Sequence, residues 1–423
     1  MQVIKTKLAQ FPIWQRNLYV LWFGVFMMGI GFSEVLPFMS LYVDTLGHFT
    51  AKQLSFYSSL TFSISYLTTA LSSPFWGKLA DTKGRKIMLL RASLGMAIVY
   101  ALMGLATNVW ILIILRGIQG LLGGFVSNAN AMVATQTPKA RSGYAMGVLV
   151  TGMTSGQLLG PFIGGTLASF VSYRVAFFIT AAIFTLVFML VLTLVKESFT
   201  PVSKEDTLSF KQVLQLLPNT KLTFGLFTTT MIIQMANFSI SPFITLFVRQ
   251  INATGLPTTF LAGLVSAMPG IATLLVAKRF GILGDRIGTY KMIMIGFLIA
   301  FMSLVPTAFI TTIWQLVLLR FLMGISNSTM MPAVQTLLTK TTPSAITSRV
   351  FSYNQSFQSM GSVCGPLLGS LVATQFGYRG VFIASAVLVA LNAGWFSQIS
   401  KSLRPQKNRL VIIDQSFFIA SLT

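Results

Sequence analysis

The stretch LPFMSLYV at residues 36–43 returns as SPFITLFV at residues 241–248, and this repetition decides the fold. Further pairs follow in the same order, all at an offset of 204 or 205 residues. They are GKLADTKG (77–84) with GILGDRIG (281–288), ILRGIQG (114–120) with LLRFLMG (318–324), and GQLLGPFIGG (156–165) with GSVCGPLLGS (361–370). Matches in one order at one spacing indicate that the chain is a duplicated unit.

The composition places this duplicated unit in a membrane. Of the 423 residues, 54% are hydrophobic and 9% are charged, and the mean hydropathy is +0.76. A soluble protein of this length needs far more charge to cover its surface, whereas apolar runs of about 18 residues or more indicate membrane-spanning helices. We predict an all-α membrane protein with twelve transmembrane helices, at residues 18–43, 54–76, 87–106, 109–135, 143–168, 173–195, 222–249, 257–280, 291–311, 314–338, 348–375 and 378–399.

These spans form two pseudo-symmetric six-helix bundles separated by one long polar interruption. We predict the N-terminal bundle at residues 1–195, a cytoplasmic central loop at 196–221, the C-terminal bundle at 222–400 and a cytoplasmic tail at 401–423. Apolar residues recur at helical spacing from 210 to 217, which predicts a short helix on the membrane surface. Two six-span halves related by an axis along the membrane normal are a transporter architecture, with the substrate site between the halves.

The charged residues set the orientation. The chain has 30 Lys and Arg against 8 Asp and Glu, a formal net charge of +22. The basic residues lie in short loops between apolar runs, which is the positive-inside pattern and not a nucleic-acid-binding face. Apart from Arg116 and Arg320 inside spans, 24 fall on one side, and the other side holds Lys52, Arg174, Arg249 and Arg379. We therefore predict a cell-membrane protein with both termini in the cytoplasm and no nucleic-acid partner.

Several chemistries lack the residues they need. Cys364 and His48 are the single cysteine and the single histidine, which argues against a disulfide framework, a Cys- or His-ligated metal and a Ser-His-Asp triad. No GxxxxGK[ST] pattern occurs, so we expect no ATP hydrolysis by the chain itself. The sequence thus predicts no enzyme, no metal and no cofactor.

Three of the repeated motifs carry a family resemblance. The loop GKLADTKGRK (77–86) resembles the loop 2–3 signature of the major facilitator superfamily, and ILRGIQGLLGG (114–124) resembles its fourth-span arginine motif. GMTSGQLLGPFIGG (152–165) resembles the glycine-proline signature of the superfamily's drug:proton antiporters. The whole pattern is similar to twelve-span bacterial multidrug efflux pumps of the fluoroquinolone type. The resemblance implies that an amphiphilic drug leaves the cytoplasm in exchange for an external proton, by alternating access, in a monomer driven by the proton gradient. An exporter of a sugar or another small metabolite is the alternative.

The loop 2–3 signature is implied by the resemblance to be a gating latch and not a substrate site. Gly77 and Gly84 permit a tight cytoplasmic turn, and Asp81 can accept hydrogen bonds or face a helix N-terminus. Thr82 stands where the family usually has a basic residue, which predicts a weaker latch in the first half. The candidate gating residues are Gly77, Asp81, Gly84, Arg85, Lys86, Gly281, Asp285, Arg286 and Gly288.

The antiporter signature is a row of small residues around one proline. Glycines at helical spacing let two helices approach closely, and Pro161 removes a backbone hydrogen bond. Tight packing alone explains the glycines, and the resemblance places that packing at the interface between the halves. The residues concerned are Gly152, Gly156, Gly160, Pro161, Gly164 and Gly165.

A substrate pocket is predicted from polar residues among soft apolar side chains in spans seven, ten and eleven. Most of the 21 methionines and 36 phenylalanines must face lipid or neighbouring helices. Adaptable side chains with a few hydrogen-bonding groups nevertheless suit a promiscuous pocket, and the scarcity of fixed ions favours a largely apolar ligand that is neutral, zwitterionic or singly cationic. The candidates are Gln234, Met235, Asn237, Asn327, Asn354, Phe357 and Gln358.

Glu34 is the one acidic residue that falls within the predicted hydrocarbon region. The other seven belong to loops, the tail or the outer end of span one. Arg116 lies at a similar depth in span four, and it is costly there unless it meets water, an anion or a carboxylate, or snorkels to the interface. We hypothesise that Glu34 and Arg116 couple protons to transport by exchanging partners. A structural glutamate bonded to a neighbouring helix is the alternative. The second-half counterpart is Ser239, so the duplicated architecture does not require an acid at this point.

Overall fold

The computed structural model describes residues 12–138, 141–197, 213, 215–343 and 346–400, and this part of the chain is helical with no strand. Long apolar runs become helices because a helix satisfies its backbone groups internally, as a lipid environment demands. The first half contains α1 (Ile13–Ser33), α2 (Met39–Thr45), α3 (Ala51–Lys83), α4 (Arg85–Gly104), α5 (Val109–Leu121), α6 (Phe125–Gln136), α7 (Ser142–Phe170) and α8 (Tyr173–Leu194). The second half contains α9 (Thr220–Ile240), α10 (Ile244–Ile251), α11 (Thr258–Ile287), α12 (Thr289–Thr307), α13 (Ile313–Thr341) and α14 (Thr347–Ile399).

The twelve predicted spans are all occupied by these helices. Within the described residues, eight segments are long and apolar enough to cross a membrane, or nine when the bent pair α9–α10 is counted as one span. The first span, built from α1 and α2, and the Ser- and Thr-rich α3 are less apolar. Helix α14 contains both of the last two spans, which meet at Gly377, where φ is +68°. The two separate helices that we predicted there are present on either side of this non-helical glycine, and they meet at it without a longer loop.

Three spans that we predicted as continuous are broken. The first stops at Ser33 and resumes at Met39, and the seventh stops at Ile240 and resumes at Ile244 with a bend of 42°. Pro37 and Pro242 lie in these breaks, and proline cannot supply the backbone N–H that a continuing helix needs. The fourth span breaks before Gly124, whose φ of +104° is readily adopted only by glycine.

The two halves meet along two seams. Helix α7 packs against α11, and α3 packs against α14, which joins the fifth span to the eighth and the second to the eleventh. Within the first half α7 also lies along α1, and the equivalent contact in the second half is α14 on α9. The same pattern of neighbours in both halves is the three-dimensional form of the sequence repeat. The predicted helix at 210–217 and the tail at 401–423 lie mostly or wholly outside the described residues.

Candidate functional site

Glu34 lies at the break in the first span, where α1 ends. Its backbone N–H donates to the carbonyl oxygen of Ile30 at 2.8 Å, and its side chain is 1% exposed. The hydroxyl of Thr180 on α8 donates a hydrogen bond to Oε1 of Glu34. In the described part of the chain, Oε2 is buried with no hydrogen-bond partner. The carboxyl group is therefore held on one oxygen and left free on the other.

The second half repeats this arrangement without the acid. Ser239 and Ser385 stand 205 residues after Glu34 and Thr180, and their hydroxyl oxygens are 2.8 Å apart. Both serines are fully buried. A pair of hydroxyls thus fills the place that a carboxyl and a hydroxyl fill in the first half.

The antiporter glycines bring α7 directly onto the helix that carries Glu34. A Cβ added at Gly164 would strike the backbone of Glu34, and one added at Gly160 would strike Ser33 and the Ile30 carbonyl. Gly152 and Gly156 press in the same way on the backbone of α1, at Trp22 and Phe26. We expected these glycines at the interface between the halves. The structure instead packs four glycines on α1 in the same half.

The other face of α7 does reach the second half. A Cβ added at Gly165 would meet the backbone of Thr259 and Gly263 on α11, and one added at Gly263 would meet the carbonyl of Pro161. The glycine-proline signature therefore lets α7 pack tightly between α1, which carries Glu34, and α11 of the second half.

Arg116 is held by a chain of hydrogen bonds that leads back to α1. It is 4% exposed, its Nε donates to the Thr61 carbonyl at 3.1 Å, and its Nη1 donates to Gln119 Oε1 at 2.6 Å. Gln119 in turn donates to the Tyr100 hydroxyl at 3.2 Å. Tyr100 completes the chain by donating to the Gly31 carbonyl at 2.6 Å, three residues before Glu34.

Among the described residues, Glu34 and Arg116 do not form an ion pair. The side chain of Glu34 is bonded to Thr180, and that of Arg116 is bonded to Thr61 and Gln119. Tyr100 lies within electrostatic reach of both. The exchange of partners by Glu34 and Arg116 stays a prediction, and the structure shows one arrangement of the two side chains.

Arg320 repeats the position of Arg116 but not its partners. The residue that corresponds to Gln119 is Met323, which has no acceptor equivalent to the glutamine oxygen. In the described part of the second half, Arg320 Nε is buried without a hydrogen-bond partner. The architecture has duplicated the arginine, whereas the network around it is specific to the first half.

The two halves are joined at the two helix breaks, at the ends that we predict to face outward. The Ser40 hydroxyl donates to the Pro242 carbonyl at 2.5 Å, and the Thr245 hydroxyl donates to the Pro37 carbonyl at 2.9 Å. Each hydroxyl is separated from its counterpart by 205 residues, and so is each proline. The contact is therefore reciprocal, and it holds the predicted outer side closed.

An ion pair accompanies this closure. Arg249 Nη1 lies 2.6 Å from Asp44 Oδ2, with the two side chains 45% and 32% exposed. These residues also occupy equivalent positions of the repeat, in LYVD and LFVR. We assigned Asp44 to the outer end of span one with no role, although opposite charges at equivalent positions were a usable signal.

The gating signature is organised around Gly84. This residue, with φ of +92°, ends α3 and begins α4, and Gly288 has the same φ between α11 and α12. Gly77 lies inside α3, where an added Cβ would meet nothing within 4 Å, so its predicted part in a tight turn is wrong. Of the other predicted residues, Arg286 lies in the last turn of α11, and Gly281 and the side chains of Asp81 and Asp285 lie outside what the structure describes.

Glu197, which we treated as a loop residue, caps the helix that follows this turn. Its two carboxylate oxygens accept from the backbone N–H groups of Arg85 and Lys86, each at 2.8 Å. Lys86 Nζ also donates to the Leu192 carbonyl at 3.1 Å. A carboxylate at a helix N-terminus satisfies otherwise unpaired N–H groups and complements the helix dipole. The loop is thereby tied to the end of α8.

The predicted pocket residues fall into separate contacts. Asn237 on α9 and Asn327 on α13 exchange side-chain hydrogen bonds of 3.2 and 3.3 Å. Phe357 packs with Phe227 at a ring distance of 5.3 Å. Asn354 is buried and its Oδ1 has no partner in the described part of the chain.

The remaining three pocket candidates lie at the α9–α14 contact or on α14. Met235 and Gln234 lie where the glycines of α14 approach α9, and Gln358 is buried on α14. The structure brings the two asparagines together, and it gives no single contact shared by all seven residues.

Comparisons with known proteins agree with this architecture. The family described as Major Facilitator Superfamily matches residues 21–280 and 226–414. A protein of Serratia proteamaculans called "Multidrug resistance protein MdtG" is 47% identical over 399 residues, covering 94% of this chain and 97% of its own. A protein of the same name from Enterobacter lignolyticus is 49% identical over 380 residues, covering 90% of this chain and 91% of its own.

Solved structures show the same fold at low sequence identity. An inward-facing, unoccupied bacterial homologue of the human lysosomal transporter Spinster has a TM-score of 0.79 at 15% identity, covering 92% of this chain and 97% of its own. The nucleoside transporter NupG has a TM-score of 0.75 at 15% identity, covering 91% of this chain and all of its own. With a family match over most of its length and relatives near half identity, this multi-pass membrane chain belongs to the Major Facilitator Superfamily.

Proposed function

We propose that this chain exports lipophilic drugs and other toxic amphiphiles from the cytoplasm in exchange for protons, by alternating access. The observation that carries the proposal is Glu34, a fully buried carboxyl group at a helix break, pressed by the antiporter glycines of α7. A buried ionisable group inside a membrane span is costly, and such groups mark ion and proton pathways. The name shared by the relatives supports the drug as cargo.

The closed outer side supports alternating access. The reciprocal bonds at Pro37 and Pro242 join the two halves across the repeat axis, so this contact must open for release to the outside. Under this proposal both termini are cytoplasmic, the working unit is a monomer, and the proton gradient replaces ATP and any cofactor or enzymatic step.

The test is efflux of ethidium and of norfloxacin from cells that express the chain, with and without a protonophore. We expect both compounds to leave faster than from cells without the protein, and we expect the protonophore to abolish the difference. Efflux that survives collapse of the proton gradient would refute the antiport. If no drug efflux is seen but a sugar or another metabolite leaves in exchange for protons, that compound is the substrate and the drug is not.

A further inference from the structure

The hydroxyl group of Thr180 has two acceptors within reach. It donates to Glu34 Oε1, and the carbonyl oxygen of Ala176, one turn earlier on α8, lies 3.0 Å from the same Oγ1. A hydroxyl carries one proton and two acceptor lone pairs, so it can donate to one of these oxygens at a time. The unused lone pairs remain available to a donor.

This geometry suits both forms of the buried carboxyl group. When Glu34 is ionised, Thr180 donates to Oε1. When Glu34 is protonated, the carboxyl O–H can donate to Thr180 Oγ1, and the Thr180 proton then turns to the Ala176 carbonyl. We propose that Thr180 is a positioning residue for the proton-carrying Glu34, satisfying both protonation states by reversing the direction of one hydrogen bond. This inference rests on the proposed function for its role in transport.

Thr180 is the side chain placed to hydrogen-bond the carboxyl group of Glu34. Helix α7 presents glycines to it, and α8 presents Thr180 beside Phe184. The nearest titratable group from α4 is Tyr100, whose hydroxyl donates to the Gly31 carbonyl, and Arg116 of α5 is bonded to Thr61 and Gln119. Within the described residues, Thr180 is the one side chain that donates to the carboxyl group.

The second half contains the same hydroxyl geometry without a titratable proton. Ser385 Oγ lies 2.8 Å from the Val381 carbonyl, one turn earlier, and 2.8 Å from Ser239 Oγ. The hydroxyl with two partners is thus a property of the repeat. In the first half, this inherited hydroxyl meets an acid.

The test compares Thr180→Val, Thr180→Ser and Ser385→Ala in the full-length protein reconstituted into vesicles. The readout is the pH at which proton-driven ethidium transport is half-maximal. Valine keeps the shape of threonine and removes both the donor to the carboxylate and the acceptor for the protonated carboxyl group. The hydrogen bond to the charged form is the stronger of the two, so the ionised form is destabilised more. We expect the midpoint to move upward by about one pH unit, a tenfold change in proton affinity and about the difference between a hydrogen bond to a charged group and one to a neutral group. We expect Thr180→Ser and Ser385→Ala to keep the wild-type midpoint.

A second measurement does not depend on transport. Infrared spectra of the purified protein across pH contain a carboxyl band from Glu34, identified by its loss in Glu34→Gln. We expect Thr180→Val to move that band to higher frequency and its titration midpoint upward, with neither change in Thr180→Ser. An unmoved band and midpoint in Thr180→Val would overturn the inference, and so would an equal change in Thr180→Ser. If wild-type transport proves independent of protons, the proposed function fails while the infrared result still decides the role of Thr180.

Discussion

The two halves of this transporter place different chemistry at one equivalent position. In the first half a carboxyl group and a hydroxyl meet, at Glu34 and Thr180, and in the second half two hydroxyls meet, at Ser239 and Ser385. Glycines of α7 and α14 press on the two sites in the same way, at Gly164 and Gly369. The packing is therefore complete without an acid. The carboxyl group is an addition to a scaffold that already folds, so its removal should impair function more than stability.

The largest effect is expected from Glu34→Gln. The amide has the shape of the carboxyl group and can still bond Thr180, but it cannot bind or release a proton in the pH range of transport. We expect ethidium efflux driven by a proton gradient to fall to the level of cells without the protein, with normal membrane insertion and thermal stability. The matched control is Ser239→Ala, which should keep its proton dependence. Full pH-driven transport by Glu34→Gln would contradict the assignment of proton coupling to the carboxyl group of the first half.

The next effect separates packing from protonation. Gly164→Ala and Gly369→Ala each force a methyl group against the backbone of the facing helix, at Glu34 and at Ser239. Overpacking of this kind costs about 1–3 kcal/mol. We expect both variants to lower the melting temperature of the detergent-solubilised protein to a similar degree, measured by fluorescence-detected size exclusion. The pH midpoint of efflux should move in Gly164→Ala alone, and an equal shift in Gly369→Ala would contradict the comparison.

A smaller effect is expected where the arginine networks differ. Gln119→Met gives Arg116 the same neighbour that Arg320 has, and it leaves a buried guanidinium N–H and the Tyr100 hydroxyl with one partner fewer. Losing such a partner costs about 1–3 kcal/mol. We expect a lower melting temperature for this variant. The reverse change, Met323→Gln, should leave stability equal or higher, and a matching loss there would show that the two environments are not comparable.

The smallest effect concerns the outer ion pair. Asp44 and Arg249 are half-exposed, and exposed pairs contribute about 0–1 kcal/mol and weaken with salt. We expect Asp44→Arg to increase the reactivity of a cysteine introduced at the outer seam by a small factor at low salt and by less at high salt. Adding Arg249→Asp to that variant should restore the wild-type reactivity. A large, salt-independent change would show that the charges do more than assist the closure.

The sequence predicted the architecture because its signals are local or repeated. Hydropathy located the spans, and the offset of 204 or 205 residues revealed the duplication. The breaks at Pro37 and Pro242 were missed because a proline inside an apolar run fits a kinked span as well as two helices. Thr180 was missed because it lies 146 residues from Glu34, on a helix whose rotation the apolar pattern does not fix. The repeat contained a signal that we did not use, because residues with a hydroxyl group occupy both equivalent positions, 180 and 385.

The reciprocal bonds at the outer breaks bear on how such a chain could arise. Two identical six-helix units around a twofold axis would form both bonds at once, since a self-complementary surface meets its own copy in a symmetric dimer. The contacts of Ser40 with Pro242 and of Thr245 with Pro37 need no difference between the units. The pairing of Asp44 with Arg249 does need one, because identical units would place two like charges together. The end that we predict to face outward thus combines a contact available to a dimer of identical halves with one that needs two diverged halves.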